Sequence, residues 1–320
     1  MSGTRFESLN ELWYRLWFQP QSPVPICMFR ILLSTIIFLS SLTWAPDLFT
    51  WFGYDGIVSV ETMRQYEEFN RLSLLDWLPA DNRFVLALYI VLLLAALSLM
   101  VGFKSRLSAL ILFICLASFH HRNLLIFHSG DTLMRVCLLL ILFGPIEKMY
   151  SLDSILGKKS TKQEQPALAS PWVQNLLRFQ IAIVYAHSFF AKMEGSTWWD
   201  GTAIYYALHM EDFYRFPVPY LFDNIITVKL ATWSTLAIEL ALWTIVWIRS
   251  LRYYVLAAGV ILHLGIDWSM NLPFFEDLMI ASYVLFLKPE DIERFVLFIK
   301  QVLNLDRNQT QNQGAVVSPK

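Results

Sequence analysis

The residues of this chain that can move protons stand inside or beside long apolar runs. The densest group closes one such run: Tyr185, His187, Ser188 and Lys192, followed by Trp198 and Trp199. Tyr185 and Lys192 are seven residues apart and share nearly one face of a helix. A lysine at the end of an apolar helix either reaches out to lipid headgroups or, held in a partly dehydrated mouth, serves as a general base. Both readings of Lys192 stand at this point. His263 and Asp267 are four apart, a spacing that lets a carboxylate orient an imidazole. The stretch His128-Ser129-Gly130-Asp131 opens another apolar run: Ser129 can cap a helix, and Asp131 then suits the positive end of its dipole. Asp131 and Arg135, four apart, form either an ion pair along the helix or, with His128, part of a site for an anionic or carbonyl ligand. Glu239 lies mid-run with no partner on its own helix, so Arg30 or Arg178 from other runs is its expected counter-charge. His120, His121 and His128 make a weak HH-x6-H pattern that no carboxylate at helical spacing completes, so no metal site is expected.

The elements that must position these groups are helices in a bilayer. Of 320 residues, 56% are hydrophobic and 16% charged, with mean hydropathy +0.47; an ordinary soluble domain carries about 25% charged residues. Eight apolar segments, 25–44, 83–102, 106–126, 132–146, 172–192, 227–248, 252–270 and 273–288, approach the roughly 20 residues a span needs. The fourth is cut at Gly144-Pro145 and the eighth carries Glu276 and Asp277, so either is a candidate broken helix. With both termini cytoplasmic, 15 basic residues fall on inner segments and 7 on outer ones, as the positive-inside rule requires. All six histidines then fall towards the outer side, which predicts a polar pocket open to that face.

An all-α, polytopic membrane bundle over 25–290 is therefore expected. Residues 1–24 form an aromatic amphipathic segment ending at Pro20 that should lie along the interface and carries no cleavage site. Residues 45–82 and 193–226 are outer loops, the second an ordered lid; 147–171 is a cytoplasmic linker and 291–320 a cytoplasmic tail, disordered at its Gln/Asn-rich end. The net charge of −1 excludes a nucleic-acid partner, and Cys27, Cys115 and Cys137 sit in apolar runs as small packing residues.

Several segments resemble the horizontally transferred transmembrane domain, the bacterial relatives of vitamin K-dependent γ-carboxylase. They are Trp17-Phe18-Gln19-Pro20-Gln21-Ser22-Pro23 with Phe29-Arg30-Ile31, Phe52-Gly53-Tyr54-Asp55-Gly56, Gly130-Asp131 with Arg135, and Tyr185–Lys192 followed by Trp198-Trp199-Asp200-Gly201-Thr202-Ala203. The resemblance runs over about residues 10–290. It implies a membrane enzyme in which a lysine upstream of a Trp-x-x-Gly motif, here Lys192, deprotonates a reduced quinone, a vitamin K-like hydroquinone. The carboxylase has a Lys-Lys pair at that place, where this chain has Lys192-Met193. No counterpart of the carboxylase's lumenal β-rich domain is expected in these residues, so a quinol or isoprenoid, rather than a docked protein, is the implied partner beside the lipid bilayer. The rival expectation is a non-catalytic membrane protein that binds or assembles a partner, its polar cluster acting as structural glue.

Overall fold

The structure is a computed structural model that describes residues 9–65, 71–158, 168–213 and 215–303. Residues 159–167 of the expected linker and the Gln/Asn-rich tail lie outside these residues, with five of the basic groups in the charge count: Arg5, Lys159, Lys162, Arg307 and Lys320.

Among the described residues the chain is helical, apart from one isolated antiparallel bridge between Gln21 and Ala169. Helix α1 (Leu9–Trp17) precedes α2 (Val24–Leu42), the most enclosed element, whose Cys27, Phe29, Leu33 and Ile37 are fully buried. A helix apolar all round must be enclosed on all sides or face lipid, and α2 takes the central place. Two short helices, α3 (Leu48–Phe52) and α4 (Val60–Gln65), lead to α5 (Asn82–Val101), α6 (Ser105–Arg122) and α7 (Ser129–Leu142). After α8 (Leu152–Lys158) comes the longest helix, α9 (Trp172–Met193). The expected lid folds as α10 (Ser196–Asp200), α11 (Ala203–Leu208) and two 3-10 turns. Helices α12 (Ile225–Thr244), α13 (Arg252–Ser269) and α14 (Phe275–Ser282) complete the bundle, and α15 (Pro289–Val302) follows.

Helices α5 and α7 pack against α2, with α6 packed on α5 and α7, and α9, α12 and α13 form the other group. Helix α14 sits between them, touching α2, α7, α9 and α13. It runs on as a 3-10 turn, Tyr283–Phe286, so the eighth segment is a broken element. All eight apolar segments are helical, but among the described residues only Val24–Leu42, Asn82–Val101 and Ile225–Trp247 are long and apolar enough to cross a membrane. The others fall short for local reasons: α7 stops at 14 residues before Gly144-Pro145, α14 has 8, and α9 carries Gln174, Asn175 and Arg178 near its start.

Broken helices leave carbonyls without a ladder partner, which is costly away from water, and arginines serve them here. Arg30, fully buried, donates to Ile146 O at 2.8 Å and to Tyr150 O. Arg178 donates to Leu285 O at 2.7 Å, and Arg252 to Phe286 O at 3.2 Å. At the same end of the bundle, the carboxylate of Asp153 accepts from the N–H groups of Lys104 and Ser105 and from Ser105 Oγ, all at 2.8 Å. That clamp holds the α5–α6 turn, where Gly102 (φ 72°) and Lys104 (φ 43°) take left-handed conformations. The opposite end is closed by an aromatic group, Trp44, Phe52, Phe119 and Phe127, with His120 packed 4.1 Å from Phe127 between ring centroids.

Candidate functional site

Helix α9 presents Tyr185, Ser188 and Lys192 along one stripe, at intervals of three and four residues. Lys192 Nζ donates to Glu239 Oε1 on α12 at 2.7 Å and to Ser188 Oγ, and Ser188 Oγ donates to the same carboxylate oxygen at 3.1 Å. The Lys192 side chain is 23% exposed and that of Glu239 only 7%. Trp198, on α10, sets its ring centroid 5.3 Å from Nζ, a cation–π contact. Glu239 Oε2 is buried without a hydrogen-bond partner among the described residues.

One to two turns along the stripe lies a second, fully buried network. The Tyr185 hydroxyl is 2.6 Å from His263 Nε2 and 2.6 Å from the Tyr283 hydroxyl, while His263 Nδ1 contacts Glu276 Oε2. With the carboxylate accepting at Nδ1, the proton sits on that nitrogen and Nε2 accepts from Tyr185. Tyr283 then donates to Tyr185, giving one chain of donors that ends on Glu276. The four residues come from α9, α13, α14 and the 3-10 turn after α14, which is why that short element lies at the centre of the bundle. Gly259 on α13 makes room: a Cβ there would collide with the Tyr283 hydroxyl and lie 2.9 Å from its Cζ.

A cavity of about 660 Å³ opens between α7 and α9. Leu133, Ile183, Val184 and Phe275 give it apolar walls, and Ser129, His187, Ser188 and Lys192 give it polar groups, with Trp198 at its edge. An apolar cleft with a few convergent polar groups is the usual form of a small-molecule site.

The expected site residues divide accordingly. Lys192, His187 and Trp198 meet at the cavity, whereas Tyr185 and His263 meet in the buried network behind it. Trp199 is 63% exposed, its indole N–H bonded to Met193 O at 2.7 Å. The expected His263–Asp267 pair does not form: His263 faces Glu276, and Asp267 pairs with Arg215 of the lid. Nor does Asp131 pair with Arg135. Asp131 accepts from the His128 N–H at 2.9 Å, and His128 Nδ1 accepts from Gly130 N at 3.0 Å, closing the cap of α7. Arg135 instead donates to His121 Nε2 at 2.9 Å. Glu239 has its basic partner on another helix, but that partner is Lys192; Arg30 and Arg178 are held by backbone carbonyls. No cluster of metal-ligating side chains occurs among the described residues.

Tyr283 is the member that sequence reasoning passed over, while Ser188 and Glu276 stood out by position but were given no partner. One signal was available: Glu276 and Tyr283 are seven apart, the same interval that joins Tyr185 to Lys192.

An all-helical bundle with long apolar helices and ion pairs enclosed between them is the architecture of a membrane protein. Over residues 18–290 the chain matches the HTTM domain and belongs to that family, whose domain is found in vitamin K-dependent γ-carboxylase and bacterial relatives. It is also similar to an uncharacterized protein, YitO, of Bacillus subtilis (strain 168), with 25% identity over 240 residues, 71% of this chain and 75% of that one. No solved structure matches the chain.

Proposed function

We propose that this protein is a multi-pass membrane enzyme that binds a hydroquinone-type, lipid-soluble substrate in the α7–α9 cavity and uses Lys192 as the base that takes its proton. The observation that carries this reading is the position of Lys192: it lines the cavity beside Ser188, while Glu239 holds its amine from behind. The residues present fit such a ligand. Leu133, Val184 and Phe275 offer apolar walls to a ring and its tail, Trp198 a stacking face, and His187 and Ser129 hydrogen bonds to hydroxyl groups. Family membership supports the same chemistry through the γ-carboxylase that shares the domain.

The charge distribution along the chain supports eight passes with both termini cytoplasmic and the cavity open to the outer side, and the resemblance to bacterial members of the family makes a bacterial inner (cell) membrane the proposed location. On this arrangement α1 lies along the inner interface, the 193–226 segment covers the outer mouth, and the α7 cap formed by His128 and Asp131 holds Ser129 at the cavity.

Three experiments test the reading. Organic extraction of the purified protein should yield quinone in stoichiometric amount. Lys192→Arg should keep the fold and the Glu239 contact but lose proton abstraction, because arginine does not release its proton. Full activity in Lys192→Arg would reduce Lys192 to a structural clamp. A reporter fused after Lys162 should read cytoplasm and one after Phe213 the outside; the opposite result at either site overturns the topology.

A further inference from the structure

Glu239 stands behind Lys192 as seen from the cavity. Lys192 and Ser188 line the cavity and Glu239 does not, yet Glu239 Oε1 receives hydrogen bonds from both. Its second oxygen, Oε2, is buried without a partner among the described residues, on a residue only 6% exposed. A buried carboxylate with one oxygen lacking a donor is costly while it is charged, and neutralising it with a proton delivered along the Lys192 Nζ–Oε1 hydrogen bond lowers that cost. These facts raise a question for any role of Lys192 as a base. In an ion pair the lysine is already an ammonium and cannot accept a proton until it has given one up.

We infer that Glu239 is the proton-accepting residue behind Lys192, and that the pair works as a two-step relay from the cavity into the bundle. This rests on the reading of Lys192 as the base. In the first step an N–H bond of the Lys192 ammonium breaks and an O–H bond forms on Glu239, leaving a neutral amine beside a neutral acid. In a water-poor site this neutral form is much less disfavoured than in water, because neither charge has to be solvated. In the second step the O–H bond of a phenolic ligand in the cavity breaks and a new N–H bond forms on Lys192. The balance is one proton moved from ligand to Glu239, with Lys192 again an ammonium. No net charge enters the site: the carboxylate loses its charge as the ligand gains one, and the ammonium then stands beside the new anion. Ser188, bonded to both groups, holds the amine on the line between cavity and carboxylate.

The test uses the full chain in lipid nanodiscs without oxygen, with menadiol as probe and its dimethyl ether as a ligand that has no proton to give. Menadiol should produce, in the difference infrared spectrum, a protonated carboxyl band that shifts in heavy water; the diether should produce none. Glu239→Gln should bind menadiol, read by equilibrium dialysis, yet lose the band completely. Glu239→Asp keeps a carboxyl group and should show the band at a shifted frequency, which carries the test if the Gln variant does not fold. Lys192→Arg should bind menadiol and show no band, since the relay is cut at its first member. A band that persists unchanged in Glu239→Gln, or that is absent from the wild type although menadiol binds, overturns the relay alone. Failure of the wild type to bind menadiol overturns both the relay and the quinol reading on which it rests.

Discussion

Lys192 Nζ and Glu239 Oε1 lie 2.7 Å apart and join α9 to α12 across the bundle. Breaking a fully buried pair by removing one member costs about 3–5 kcal/mol, because a charge is left without a partner. The Lys192 side chain is 23% exposed, so the pair is not fully enclosed and Glu239→Ala should cost nearer to about 2–3 kcal/mol. A double-mutant cycle with Lys192→Met, followed by thermal unfolding in detergent, should give a coupling of about 1–3 kcal/mol. Strictly additive effects would show that the two groups do not interact in the folded protein.

The buried network makes an unequal pair of predictions for its two central members. His263→Ala leaves the Glu276 carboxyl and the Tyr185 hydroxyl without partners and should cost about 3 kcal/mol or more. Glu276→Gln keeps a carbonyl oxygen that can accept from His263 Nδ1–H, so its cost should be near about 1 kcal/mol. Unfolding temperatures should follow that order. The reverse order would mean that the imidazole and the carboxylate are not each other's partner.

Gly259 tests the close approach of α13 to Tyr283. Gly259→Ala drives a methyl group into the tyrosine hydroxyl and ring, and overpacking of this kind costs about 1–3 kcal/mol. Adding Tyr283→Phe removes the nearest atom but leaves Cζ, so the double variant should recover part of the loss. If Gly259→Ala is neutral alone, α13 and the 3-10 turn are not packed as tightly as the geometry states.

Asp153 makes a prediction for pH. Partial burial pushes its carboxyl up, but the hydrogen bonds from Ser105 and Lys104 outweigh that and hold it below the usual carboxylate range, aided by the Arg30 guanidinium. A carboxyl depressed in the folded state contributes stability above its unfolded value, about 3.9, and loses it as pH falls through the folded one. The stability gap between wild type and Asp153→Asn should thus be constant above about pH 5 and shrink below about pH 4. A gap that widens in acid would show that the clamp does not depend on the carboxylate charge.

The amino-acid sequence by itself determined where the helices are, because long apolar runs between Pro, Gly and polar clusters obey rules that act within a few residues. Its local spacings also marked Tyr185, Lys192 and Glu239 as unusual, since a polar group at membrane depth stands out wherever its partner is. What they could not supply was the partner. His263–Asp267 and Asp131–Arg135 have good helical spacing, yet His263 took Glu276 from α14 and Arg135 took His121 from α6. The i,i+4 attraction of an exposed pair is worth about 0.2–0.5 kcal/mol, whereas leaving a buried polar group unpaired costs several times more. The folded protein therefore matched its buried groups across helices and left Asp267 to the half-exposed Arg215. The tertiary structure alone decided that the eighth segment, already a candidate broken helix in the sequence, would lie at the centre. Its packing against α2, α7, α9 and α13 sets Tyr283 and Glu276 against residues nearly a hundred and thirteen positions away, respectively, a relation that no local pattern encodes.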